Sequence, residues 1–137
     1  MKSIFITLFL LISTTLVSQK LTEVDGKYQS RVEYSVSGRD ISSIYTKSNQ
    51  FLDTELPGRQ ISSMSKEEKI YKFSGTATYD KYQFEYEVIC FDKSFKIIFS
   101  NFTYKLKPIE QHTNKLSEIN QFLLQLCGKM QFFVRHS

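Results

Sequence analysis

Tryptophan is absent from this 137-residue chain, and proline, cysteine and histidine occur only twice each. Glycine occurs five times. So little proline and glycine excludes a collagen-like or low-complexity chain and leaves little room for long irregular loops. Two cysteines are too few for a disulfide framework. Two histidines, His112 in a polar stretch and His136 beside the chain end, provide no metal-ligand cluster and no evident partner for an activated Ser or Cys. Charge of one sign is also scarce: 18 Lys and Arg against 14 Asp and Glu give +4 without a basic stripe, which argues against a nucleic-acid partner. No apolar run approaches the roughly 20 residues of a membrane span. What the chain does have is aromatic mass, twelve Phe and eight Tyr, in a composition 41% hydrophobic and 23% charged. That balance belongs to a globular protein.

The N-terminus reads as an export leader. Met1-Lys2-Ser3 carries a positive charge, Ile4 to Ile12 is apolar except for Thr7, and Ser13 to Ser18 turns smaller and more polar. Residues 1–18 therefore form a predicted signal peptide, with cleavage after Ser18 or, because Leu16 is a poor fit near that site, after Thr15. No Cys follows the apolar run to accept a lipid anchor. Removal of the leader takes Lys2 with it and lowers the charge excess from +4 to +3. The expected compartment is periplasmic or extracellular, and residues 19–137 are expected to form a single domain.

Periodicity organises the remainder. A turn is expected at Asp25-Gly26, then alternation from Tyr28 to Val36 predicts a half-buried strand closed by Ser37-Gly38. Asp40 is placed to cap a helix over 41–55, with Ile41, Ile44, Tyr45, Ser48, Leu52 and Leu56 on one face, and Pro57-Gly58 ends it. Residues 59–64 suit a short strand before the charged link Lys66-Glu67-Glu68-Lys69. Three alternating runs follow, broken at Asp80-Lys81 and Asp92-Lys93-Ser94, which is the pattern of an antiparallel meander. Pro108 closes the last strand. Asn114 is a candidate cap for a helix over about 115–133 whose apolar face runs from Leu116 to Phe133. The order β-α-β-β-β-β-α predicts an α+β fold, an antiparallel sheet of about five strands with two helices packed on one face.

Three segments carry a family resemblance. They are Ile41-Ser42-Ser43-Ile44-Tyr45 with Phe51-Leu52 after Gly38, Phe73-Ser74-Gly75-Thr76-Ala77, and the run from Tyr86-Glu87-Val88-Ile89-Cys90-Phe91 through Asn101-Phe102-Thr103-Tyr104. Over about residues 28–108 the chain resembles the exported bacterial family called domain of unknown function 4468, whose fold is similar to that of the TATA-binding protein. The resemblance implies an exported α+β domain with no established activity and transfers no functional residues. The fold name does not imply DNA binding.

Few residues suggest chemistry. Glu85 and Glu87 share a strand face, but an open sheet surface has no pocket to separate their acidities, and cross-strand pairing with Lys72 or Lys96 accounts for them. Cys90 and Cys127 both point toward the core, either as buried unpaired thiols, the favoured reading, or as a disulfide fastening the last helix to the sheet. Asn101-Phe102-Thr103 matches a glycosylation sequon on a strand, a position and context that argue against its use. No cofactor is implied, and no enzyme is expected.

The sharper signal is apolar. Ile98, Phe102 and Tyr104 alternate with the core set Phe95, Ile97 and Phe99, and Ile89 and Phe91 fall on the neighbouring strand. These five, Ile89, Phe91, Ile98, Phe102 and Tyr104, form a candidate interaction patch for a protein, peptide or envelope component. A bulge at Ser100-Asn101 would instead turn part of the set inward. Two other functions stay open: a small-molecule site between sheet and C-terminal helix near Tyr34 and Tyr86, and a structural module self-associating through an open sheet edge.

Overall fold

Strict alternation needs tight reversals between strands, and in a chain with few glycines those reversals fall on other residues. The computed structural model describes residues 21–137, so the predicted leader and its cleavage positions lie outside the described residues. The strands are β1 (Thr22–Val24), β2 (Lys27–Ser35), β3 (Gln60–Glu67), β4 (Ile70–Tyr79), β5 (Tyr82–Phe91), β6 (Ser94–Tyr104) and β7 (Lys107–Pro108). The helices are α1 (Ile41–Glu55) and α2 (Leu116–His136). Five hairpins, closing at Val24/Lys27, Glu67/Ile70, Tyr79/Tyr82, Phe91/Ser94 and Tyr104/Lys107, each use a two-residue loop. At Asp25-Gly26 both loop residues have positive φ (52° and 79°), as the turn that matches strand twist requires. Lys105 (52°) and Leu106 (64°) adopt the same form without glycine, and Asp80 and Lys93 each contribute one positive φ.

All pairings are antiparallel, in the order β1-β2-β6-β5-β4-β3, with β7 added to β6. The α+β class follows the sequence pattern, but the sheet has seven strands rather than about five. The polar segment after Leu21 folds back as β1, and Lys107-Pro108 returns alongside the end of β6. The charged link at Lys66-Glu67 is strand as well, so β3 is longer than predicted and only Glu68-Lys69 turns.

One stripe of each helix meets the sheet. Asp40 accepts the Ser43 amide at 2.8 Å and starts α1, which buries Ile44, Tyr45, Ser48, Phe51 and Leu52. α2 buries Ile119, Leu123, Leu126, Cys127, Met130 and Val134. Asn114 does not cap α2; it sits in a 3-10 turn, Thr113–Lys115, that runs straight into the helix. At the other end the Arg39 guanidinium donates to the Arg135 carbonyl (3.1 Å) and to Ser137 O (2.6 Å), satisfying carbonyls that a helix terminus leaves unpaired. Beneath the helices, Phe73, Tyr86, Val88, Phe95, Ile97 and Phe99 close the core.

Candidate functional site: the open face of the sheet

The residues alternating with that core set form the other face of the sheet, and no described helix covers it. Strand register fixes its neighbours. One row runs Lys72, Ile89, Lys96, Glu33 and the next Ser74, Glu87, Ile98, Arg31. Phe91 lies opposite Ser94 at the end of the β5–β6 hairpin. Ile89, Phe91 and Ile98 are half-buried, and each sits among polar or charged neighbours. Toward the other end of β5 the face becomes hydroxyl- and amide-rich. There a trough of about 370 Å³ is lined by Gln60, Thr76, Thr78, Gln83, Glu85, Asn101 and Thr103, among others. A hollow of about 260 Å³ adjoins it at Glu85 and reaches Ser74, Glu87, Ile98 and Ser100.

The patch read from the sequence divides at this point. Between Ser100 and Thr103 the β6 strand carries one more residue than its β5 partner, and Asn101 takes a φ of 53°. This bulge resets the alternation. Phe102 therefore turns into the core, 2% exposed and 5.5 Å from the Phe84 ring. Tyr104 follows it to the helix side, where it meets Tyr82 at 5.7 Å and the His112 ring edge-on at 4.9 Å. Lys81, Lys105 and Lys115 surround the Tyr104 ring. Ile89, Phe91 and Ile98 remain on the open face; Phe102 and Tyr104 do not.

Other candidates also change neighbours. Glu85 lies opposite Thr76 and Ser100, and Glu87 opposite Ser74 and Ile98, so neither faces a lysine directly. Glu85 accepts a hydrogen bond from Asn101, which is exposed at the bulge rather than set in regular strand. Cys90 and Cys127 are both buried and free. Cys90 lies 3.9 Å from Ser48 Oγ, and Cys127 neighbours Tyr34. Burial pushes both thiols from the ordinary 9.0 up to about 12, which leaves them protonated small hydrophobes. Among the described residues no group of three or more His, Cys, Asp and Glu side chains is arranged to hold a metal ion.

At Tyr34 and Tyr86, where the sequence leaves open a small-molecule site between sheet and α2, both rings pack against core aromatics. Tyr34 packs on Phe95 at 5.5 Å and Tyr86 on Phe73 at 6.2 Å. The Tyr34 hydroxyl is buried without a hydrogen-bond partner, and burial, with Cys127 beside it, raises its pKa well above the ordinary tyrosine value. Tyr82 is likewise pushed up by burial and by its 2.8 Å hydrogen bond to Glu118. That same bond, with Lys81 adding to it, lowers Glu118.

One cluster escaped sequence reasoning. The Arg59 side chain is 3% exposed and pairs with Asp53 at 2.8 Å. It also donates to Tyr86 Oη (2.9 Å) and Asn49 Oδ1 (2.9 Å), while Tyr86 Oη donates to the Gln60 carbonyl at 3.0 Å. Arg59 thus ties the end of α1 to the start of β3 and to β5. Gly75 makes room for the crossing: a Cβ there would stand 1.8 Å from Gln60 O. A glycine inside an alternating strand pattern is the signal that marks such a close approach.

Two helices on one face of a broad antiparallel sheet, with the other face bare, define a TATA-binding-protein-like α+β domain. The chain is similar in fold to a TBP-like protein from Parabacteroides distasonis ATCC 8503, with TM-score 0.64 and 12% identity over 85% of this chain and 98% of that one. A DUF4468 family protein from Bacteroides ovatus ATCC 8483 matches with TM-score 0.51 and 16% identity over 86% of this chain and 90% of that one. Both agree with the resemblance read from the strand and helix segments, and at these identities the likeness is one of fold. No family model and no curated protein matches the chain. No helix among the described residues is long and apolar enough to cross a membrane.

Proposed function

We propose that this chain is an exported, non-enzymatic binding domain whose protein, peptide or envelope partner docks on the open sheet face. One observation carries the reading: both helices lie on one side, while the opposite side presents Ile89, Phe91 and Ile98 between Lys72, Lys96, Arg31, Glu33 and Glu87. Half-buried apolar groups framed by charges supply contact area and orientation together, the usual anatomy of a recognition surface. The adjoining troughs extend that surface with hydroxyl and amide groups able to hydrogen-bond a peptide backbone. Export rests on the predicted leader at residues 1–18. The test uses the chain and its Ile89→Ser/Ile98→Ser variant as baits in an envelope extract, with thermal melting in parallel. The wild type retains a partner that the variant loses at nearly unchanged stability; equal recovery by both overturns the assignment. Fractionation of cells expressing the full chain tests export separately.

A further inference from the structure

The helix layer carries a second, independent surface. Leu124, Gly128 and Phe132 recur every four residues along the outer side of α2, so they form one stripe. Leu124 is 44% and Phe132 67% exposed, among the most exposed large apolar side chains of the described residues. Between them Gly128 opens a gap: apart from the adjoining residues and the helix's own backbone, no atom of the described residues lies within 4 Å of where its Cβ would be. A glycine mid-helix disfavours the helix, and here nothing inside the chain uses the space it frees. The gap opens into an apolar groove of about 700 Å³ between the C-terminal halves of α1 and α2, lined by Phe51, Phe132 and Phe133 among others.

We propose that a second copy of this chain occupies the groove, through antiparallel crossing of two α2 helices at Gly128. Large, glycine, large at equal spacing reads the same in both directions. A two-fold axis therefore places Phe132 of each copy over Gly128 and Leu124 of the other, with knob and hole supplied by the same stripe. Charge fits the same symmetry. Glu55 and Lys129 both line the groove, and neither belongs to an ion pair among the described residues. Antiparallel pairing brings Lys129 of one copy toward Glu55 of the other, twice. The edge strands fit less well: β1 has three residues, and β3 is bulged near Ile61 and carries Lys66 and Glu67, features that discourage edge pairing. A dimer joined through its helices leaves both open sheet faces free, so two partner sites would act together.

Sedimentation of the purified chain over a wide concentration series tests this. Monomer converts to dimer by mass action, and Phe132→Ser weakens association more than about tenfold. Gly128→Leu weakens it similarly yet melts no lower than wild type, since the added side chain enters empty space. Lys129→Glu also weakens the dimer, and Glu55→Lys added to it restores association. A wild-type chain that stays monomeric throughout, or a Gly128→Leu chain that associates as tightly as wild type, overturns the proposal.

Discussion

The two faces of the sheet are built from alternate residues of the same strands, and they differ in what completes them. On the helix side Val88, Cys90, Phe95, Ile97 and Phe99 are all fully buried. On the open side the residues between them, Ile89, Phe91, Lys96 and Ile98, are half-buried. The fully buried large apolar groups are concentrated on one side, which leaves the other side with less structural duty. A surface with less of that duty can be shaped for recognition.

Substitutions that should cost much on one face and little on the other sharpen this difference. The largest effect is expected at Phe99→Ala, which empties the centre of the helix-side core and should lower unfolding free energy by about 3–5 kcal/mol in a denaturant titration. Next is Gly75→Ala: its Cβ would collide with the Gln60 carbonyl, so β3 must shift, at about 1–3 kcal/mol. Ile89→Ser and Ile98→Ser on the open face should each cost under about 1 kcal/mol. A loss there equal to that of Phe99→Ala would erase the distinction between the faces.

Titration probes the helix side. Cys90 and Cys127 are raised from 9.0 to about 12, so their contribution is complete below pH 9 and is lost as pH climbs toward 12. Tyr34 and Tyr82, also raised, act in the same direction. Melting temperature should therefore fall through this alkaline window, and Cys90→Ala should flatten the fall. The smallest effect is a gain. Leu106 holds a φ of 64° at an exposed turn, and Leu106→Gly should stabilise the chain by about 0.5–1 kcal/mol.

Period-two alternation made β2, β4, β5 and the first half of β6 legible in the sequence, and the spacing of Ile41, Ile44, Tyr45, Ser48 and Leu52 with Asp40 before it did the same for α1. β1 and β7 were not legible because three and two residues are too short to show a period. The patch was half legible. Alternation places Ile89, Phe91 and Ile98 on the open face; the bulge at Ser100-Asn101 stood in the sequence only as the alternative, and it is the extra residue at Asn101 that moves Phe102 and Tyr104 across the sheet. Arg59 was invisible for another reason: a lone arginine after a turn gives no sign that Asp53 and Asn49 of α1 and Tyr86 of β5 converge on it.

Hydroxyl-radical footprinting of the chain alone and with its captured partner tests the central claim most directly. Protection of Ile89, Phe91 and Ile98, with Phe132 and Leu124 unaffected by the partner, is the predicted result. Protection confined to α2, with the open face as reactive as before, would contradict it.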